Sequence, residues 1–372
     1  MEHMKRKTEI DKLEREEHLE REEWIGLLTG WDEEDRAYAG ERAREISHRY
    51  FGNRIYVRGL IEFTSYCRND CYYCGLRRSN TKACRYRLPE AEILSCCEAG
   101  YGLGFRTFVL QGGEDSGYTE DRMIALIRRI KALWPDCALT LSVGEWEEEA
   151  YRQFYEAGAD RYLLRHETAD SVHYGVLHPS DMSLAHRIDC LQKLKAIGYQ
   201  TGCGFMVGAP GQTGETLAKD MSFIEELHPH MAGIGPFIPH RDTPFGKNQR
   251  GSYKLTLFLL SLLRIMEKNI LLPATTALGT ICDRGREEGV LAGANVIMPN
   301  LSPVAVREKY AIYENKLCTG EEAAEHMDRL QNSMRNIGYE ITFERGDWKE
   351  RQREKGKERT RQWNINMISC RR

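Results

Sequence analysis

From Arg54 to Asn300 the chain repeats one unit, a short apolar run of strand length followed by a longer amphipathic stretch of helical period. The short runs predict strands at Ile55–Phe63, Thr107–Gln111, Ala138–Val143, Arg161–Arg165, Gln200–Val207, Ala232–Phe237, Leu272–Thr276 and Ala294–Met298. Between them the spacing predicts helices over Pro89–Tyr101, Glu120–Trp134, Glu147–Ala157, Leu184–Ile197, Thr213–Leu227, Lys254–Lys268 and a short Arg284–Ala292. Eight such units over about 250 residues match the arithmetic of an α/β fold, a complete (β/α)8 TIM-type barrel. A doubly wound open sheet satisfies the same alternation. Either way, ligands collect at the carboxyl ends of the strands.

The first strand runs into Cys67-Arg-Asn-Asp-Cys71-Tyr-Tyr-Cys74. Three thiolates this close on one loop can converge on a metal centre. A four-iron cluster normally takes four cysteines, so three with no evident fourth leave one iron open to an outside molecule. The competing readings are a structural zinc site and unrelated buried thiols. Zinc motifs pair one C-x2-4-C with a second Cys or His pair, whereas Cys84 stands alone. Among the twelve cysteines, Cys96, Cys97, Cys137, Cys190 and Cys203 fall in predicted elements, where a small buried thiol is the ordinary role.

The remainder brackets this region. Residues 1–53 form a charged helical extension in which Ile10, Leu13, Trp24, Leu27 and Leu28 carry the apolar faces, with Asp32 or Thr29 available to cap its second helix. Residues 54–300 hold the strand and helix units. Residues 301–345 are expected to close the fold with a helical segment at Glu321–Ile337, and residues 346–372 read as a charged, flexible tail. A formal net charge of −3 supplies no bulk reason to expect nucleic acid. The apolar stretch Leu255–Met266 is too short to span a bilayer and contains Arg264. The beginning lacks the apolar h-region of a secretory signal, so a cytoplasmic protein is expected.

The predicted strand ends carry polar residues where a ligand-binding face requires them: Gln111-Gly112-Gly113-Glu114-Asp115, Ser142 to Trp146, Arg165-His166-Glu167-Thr168, Thr275-Thr276 and Met298-Pro299-Asn300. Paired glycines admit close approach of the backbone to a ligand. Arg165 and Glu167 alternate to one side and can pair with each other or with a ligand's charges, while His166 points the other way. Gly204, Gly208 and Gly211 lack dinucleotide-fingerprint spacing. Met206, Met231 and Met298 suit a soft apolar cavity, and Tyr310 and Tyr313 suit a lid over the mouth.

Cys-x3-Cys-x2-Cys resembles the signature of radical S-adenosylmethionine (SAM) enzymes, in which SAM chelates the open iron and is cleaved reductively to a 5'-deoxyadenosyl radical. The likeness extends through Ile61-Glu62-Phe63, Cys67 to Arg78, Arg85-Tyr86-Arg87, Gln111 to Asp115, Gly144-Glu145-Trp146, Asp160 to Ala169, Met206 to Thr213, Gly233 to His240, Pro273 to Thr280 and Gly293 to Asn300. Together these resemble the HydE family of FeFe-hydrogenase maturases from about Arg54 to Cys318. The resemblance implies a full β/α barrel, one 4Fe–4S cluster on Cys67, Cys71 and Cys74, and SAM beside Tyr73, Gln111, Glu114, Arg165, Glu167, Arg187 and Met206. It implies a substrate cavity built from Arg58, Arg161, Met231, Thr275, Thr276, Met298, Tyr310 and Tyr313. The implied substrate is an iron carbonyl cyanide complex of cysteine whose sulfur the radical attacks. HydG and HydF would be the partner maturases and a ferredoxin or flavodoxin the electron donor, with no nucleic-acid or membrane partner. Some members carry a second cluster on three later cysteines; here only Cys318 remains, so one cluster is expected. A methylornithine-synthase-like mutase, a biotin-synthase-like sulfur insertion and a non-catalytic iron-sulfur scaffold are the alternatives.

Overall fold

The structure, a computed structural model, describes residues 2–317 and 324–349. Three helices come first, α1 (Glu2–Glu16), α2 (Arg21–Gly30) and α3 (Glu33–Phe51). The alternating region follows as β1 (Arg54–Val57), β2 (Gly59–Thr64), α4 (Glu90–Gly102), β3 (Thr107–Gly112), α5 (Glu120–Leu133), β4 (Ala138–Ser142), α6 (Glu148–Glu156) and β5 (Arg161–Leu163). It continues through α7 (Ser171–Leu177), α8 (Leu184–Ile197), β6 (Gln200–Cys203), β7 (Met206–Val207), α9 (Gly214–Leu227), β8 (Met231–Ala232), β9 (Gly235–Pro236) and α10 (Tyr253–Met266). The last elements are α11 (Thr276–Ile281), α12 (Gly285–Leu291), β10 (Val296–Ile297), α13 (Val304–Arg307), α14 (Met327–Asn336) and β11 (Glu340–Thr342).

Six strands form one parallel sheet in the order β2-β3-β4-β5-β6-β8, with neighbours joined by the intervening helices. A second sheet, β10-β1-β11, and a two-stranded one, β7-β9, complete the strand pairing. Isolated parallel bridges Met231↔Leu271, Pro273↔Val296 and Leu60↔Asn300 link the ends of these sheets. The fold is thus α/β with a parallel sheet and helices outside it.

Several predicted strands are divided. Ile55–Phe63 is two strands that change partners at Arg58: β1 pairs with β10 and β11, and β2 with β3. Gln200–Val207 breaks between Cys203 and Met206, and Ala232–Phe237 similarly becomes β8 and β9. Leu272–Thr276 makes a single bridge, at Pro273, with another at Leu271 just before it, and Thr276 then opens α11; a proline lacks the N–H that a central ladder needs.

The amino-terminal extension is part of the same hydrophobic core. Asp32 caps α3 by accepting from the Glu34 and Asp35 amides, satisfying donors a helix start leaves free. Ile10, Leu13, Trp24 and Leu27 are fully buried. In α10 every residue from Thr256 to Met266 is buried, which accounts for its continuous apolar sequence, and no helix among the described residues is long and apolar enough to cross a membrane.

At the other end, β11 adds to β1 in parallel with Ile55↔Ile341, a strand the sequence pattern does not mark. Of the stretch read as a tail, residues 346–349 are described and packed: Asp347 pairs with Arg161 at 2.6 Å, and Trp348 meets the His230 ring edge-on at 4.6 Å. Residues 350–372, and Cys318, lie outside the described residues.

Candidate active site

The loop after β2 is held on all sides. The Arg68 amide donates to the Glu114 carbonyl (2.8 Å), the Tyr72 amide to Leu177 (3.0 Å) and the Gly75 amide to Ile312 (2.9 Å). Asp70 accepts from Arg77 Nε (2.7 Å), Ser79 N (3.0 Å) and Ser79 Oγ (2.6 Å), and the Arg77 guanidinium holds its carboxyl well below the usual carboxylate range. Gly75 is pressed so close to the 311–317 segment that a Cβ there would lie 2.1 Å from the Ala311 carbonyl oxygen.

Cys67, Cys71 and Cys74 are free thiols, each partly buried. Burial and then the Cys67 thiol push Cys74 up to about 12, and burial followed by Cys74 and Cys67 pushes Cys71 well above its ordinary value. The thiols are near enough to repel as thiolates, yet no group of three or more His, Cys, Asp or Glu among the described residues closes around a single ion. A zinc site would require that closure at about 2.3 Å per sulfur. A multi-iron cluster spreads its sulfurs over separate irons and supplies the positive charge that ionises them, so three thiols on one loop can hold it without closing around a single ion.

Glu114, Arg165, Glu167, Arg187 and Tyr73 gather beside this loop. Glu114 accepts from Arg68 Nε (3.0 Å) and from the Glu145 amide (3.1 Å). Arg165 Nη2 lies 3.2 Å from Glu167 Oε2. Neither of these atoms makes an aligned hydrogen bond, and both are buried, as is Arg165 Nε. Glu167 stands in the left-handed backbone region at φ 65°, a strain that non-glycine residues carry where the surroundings hold them. His166 between them faces away, 3.6 Å from Asp220 and against Phe223.

Arg187, in the first turn of α8, reaches inward, pairs with Glu145 and donates through Nη1 to the Arg165 carbonyl (2.8 Å). Burial works against its charge, and Tyr174, Glu145 and Glu114 overrule it. Tyr73 is fixed by its hydroxyl 3.1 Å from His178 Nε2; burial pushes His178 down to about 3, so the ring is neutral and accepts that proton. Met206 packs in one apolar cluster with Leu177, Phe237 and Tyr73. Gln111, on β3, lies beside the buried Tyr310 hydroxyl.

The residues expected to line a substrate cavity divide between two ends. Thr275, Thr276, Tyr310 and Tyr313 lie on the cysteine side: Thr275 Oγ1 is buried without a partner, and Thr276 opens α11. Tyr310 is buried, and Tyr313, on the same closing segment, is partly buried. A cavity of about 540 Å³ opens nearby, between Ile238, Pro239, Thr280 and Glu314.

Arg58, Arg161, Met231 and Met298 pack elsewhere. Arg161 is the first residue of β5, hence at the amino ends of the strands, and its guanidinium is bound by Asp347, the Arg345 carbonyl (2.7 Å), Thr107 Oγ1 (3.2 Å) and Gln200 Oε1 (3.2 Å). Arg58, just before β2, donates to Met231 Sδ at 3.0 Å while its Nε and Nη2 have no partner. Met298 packs against the small cluster containing Met231.

Sequence reasoning assigned no role to three features. Glu62 is fully buried in β2, 2.7 Å from Lys316 Nζ and 2.9 Å from Asn300 Nδ2; a carboxylate inside an apolar run was the available signal. Met182 Sδ lies 4.0 Å from Cys71 Sγ. Glu145 joins the two halves of the site by taking Arg187 as its amide reaches Glu114.

Residues 61–224 match the radical SAM superfamily model. The chain is 47% identical over 279 residues to the FeFe hydrogenase maturase subunit HydE of Thermotoga maritima, covering 75% of this chain and 79% of that one. It is 30% identical to 3-methylornithine synthase of Methanosarcina acetivorans, over 74% of this chain and 77% of that one. The crystal structure of methylornithine synthase (PylB) shares the fold, with a TM-score of 0.76 at 24% identity, covering 90% of this chain and 97% of that one. With three clustered thiols at the carboxyl ends of a parallel sheet and this degree of identity over most of both chains, the chain belongs to the radical SAM superfamily and, within it, to the HydE family of radical SAM enzymes.

Proposed function

We propose that this chain is a maturase of the HydE type, acting in assembly of the two-iron subcluster of FeFe hydrogenase. The observation that carries the reading is the placement of Cys67, Cys71 and Cys74 beside a charged cradle, on a chain 47% identical to HydE. In this reading the strands close into a complete (β/α)8 barrel, which the bridges Leu60↔Asn300, Met231↔Leu271 and Pro273↔Val296 support. The chain holds one 4Fe–4S cluster.

The methionyl end of SAM carries both an ammonium and a carboxylate. Glu114 and Glu167 suit the ammonium or ribose hydroxyls, and the planar forks of Arg165 and Arg187 suit the carboxylate. Tyr73, held by His178, and Met206 offer an apolar wall to the adenine. Bound there, cluster and SAM supply a 5'-deoxyadenosyl radical, whose target is the cysteine-derived sulfur of an iron carbonyl cyanide complex. Thr275, Tyr310 and Tyr313 receive that complex from the cysteine side, and Tyr310 and the 311–317 segment keep water from it. Arg58 and Met231 bound the far end of the chamber, where Arg58 offers unpaired N–H groups to an anion. HydG supplies the complex, HydF accepts the product, a ferredoxin or flavodoxin supplies the electron, and the setting is the cytoplasm.

The test is anaerobic reconstitution with iron and sulfide, reduction with dithionite in the presence of SAM, and measurement of 5'-deoxyadenosine. Activation of apo-hydrogenase by HydG and HydF is then compared with and without this chain. Product formation, its loss in Cys71→Ala with an unchanged fold, and activation that depends on the chain are expected. Formation of 3-methylornithine in its place would assign the mutase reading, and absence of 5'-deoxyadenosine from a loaded protein would leave only a scaffold.

A further inference from the structure

Arg85 follows the cysteine loop in sequence and spans it in space. Its Nη1 donates to the carbonyls of Ser65 (2.5 Å) and Leu76 (2.9 Å), and its Nη2 to those of Arg77 (2.8 Å) and Asn80 (3.3 Å). Ser65 lies just before Cys67 and Leu76 just after Cys74, so one guanidinium ties together the two ends of the segment that carries all three thiols. The next residue is anchored on Ser65 as well: the Tyr86 amide donates to Ser65 Oγ (2.8 Å) and the Ser65 amide to the Tyr86 carbonyl (3.1 Å).

The neighbouring cations differ. Arg68, Arg77 and Arg87 each sit on a carboxylate, of Glu114, Asp70 and Asp115 respectively. Arg85 has carbonyl oxygens only, and no carboxylate among the described residues pairs with it. Four neutral acceptors take N–H groups of its two terminal nitrogens without cancelling its charge. That charge stands close to the metal ligands, since the Ser65 and Leu76 carbonyls it holds are each two residues from one of them, Cys67 and Cys74.

We propose that Arg85 is a positioning residue for the iron-sulfur cluster, clasping the two ends of the cysteine loop through four carbonyls and raising, by its uncancelled charge, the potential at which the cluster accepts an electron. One-electron reduction makes the cluster more negative, so a fixed cation nearby favours the reduced form. Arginine suits both tasks because its planar fork holds several donors in fixed directions and it stays protonated. Lysine carries the same charge as a single flexible ammonium and cannot span four carbonyls.

Arg85→Lys and Arg85→Gln separate the two tasks. After anaerobic reconstitution, iron and sulfide content reports the clasp, and an EPR-monitored redox titration of the loaded molecules reports the charge. Since only loaded molecules give the signal, partial loading suffices. Both variants are expected to load less cluster than wild type. Arg85→Lys is expected to keep the wild-type midpoint, and Arg85→Gln to shift it negative, with about a tenfold lower reduced-to-oxidised ratio at the wild-type midpoint, equivalent to 59 mV for one electron. Full loading of Arg85→Gln at the wild-type potential would overturn the proposal. Equal negative shifts in both variants, or an unshifted midpoint in Arg85→Gln, would overturn its electrostatic half.

Discussion

Replacing Gly113 with alanine tests whether the cluster loop and the β3 strand end are fitted to each other. A Cβ on Gly113 would stand 2.2 Å from the Tyr66 carbonyl oxygen and 2.6 Å from Cys67 Cβ. Non-bonded carbons settle at about 3.5–4.0 Å, so a displacement of about 1 Å must be absorbed. Neither neighbour is the free end of a flexible side chain: one is backbone and the other is the base of a proposed iron ligand. Cys71 and Cys74 are anchored independently, through Tyr72 on Leu177 and Gly75 on Ile312, so the shift falls on Cys67 relative to its two companions.

Overpacking of this kind costs about 1–3 kcal/mol, well within what a domain of this size tolerates, so the chain is expected to fold with a modestly lower Tm. Cluster loading should suffer far more, because a ligand sulfur is misplaced. Iron and acid-labile sulfide after reconstitution measure this, with Gly102→Ala as control, since a Cβ there would meet nothing within 4 Å. The expected result is a folded, cluster-poor Gly113→Ala beside a fully loaded control. Equal loading of the two would refute the idea that Gly113 is required for the fit.

Two further outcomes follow from buried or half-buried charges. The Lys316–Glu62 pair, nearly inaccessible on both sides, should behave as a buried ion pair: Lys316→Met or Glu62→Gln alone is expected to cost about 3–5 kcal/mol in urea unfolding, and the double variant less than the sum; additive losses would show that the two do not interact. Asp347, its carboxyl lowered from 3.8 to about 2, against burial, by Arg345 and Arg161, stabilises the fold above its unfolded pKa and loses that contribution as pH falls through its folded one. Its side chain is 34% exposed, so solvent screening reduces the shift to about 1 kcal/mol. Asp347→Asn should therefore be less stable than wild type at pH 7 by about that amount, the gap narrowing below pH ~4; a gap that persists unchanged at pH 3 would sink the assignment.

The sequence by itself determined the strand and helix alternation, the cysteine spacing and the face on which the site lies, because each is written in neighbouring residues. Apolar period fixes which side of an element is buried, and three cysteines within eight residues cannot be far apart in any fold. The Asp32 cap was legible for the same local reason. Tertiary structure alone decided what depends on residues far apart in the chain. Arg58 reads as mid-strand, yet the chain changes partners there because β1 pairs with β10 and β11 and β2 with β3. Arg161 reads as a cavity cation, yet Asp347, 186 residues away, occupies it. Lys316 reaches Glu62 only after the sheet has brought their segments together. Such pairs leave no period or spacing in the sequence, since what joins them is the desolvation of a charge that must find a partner inside the finished fold.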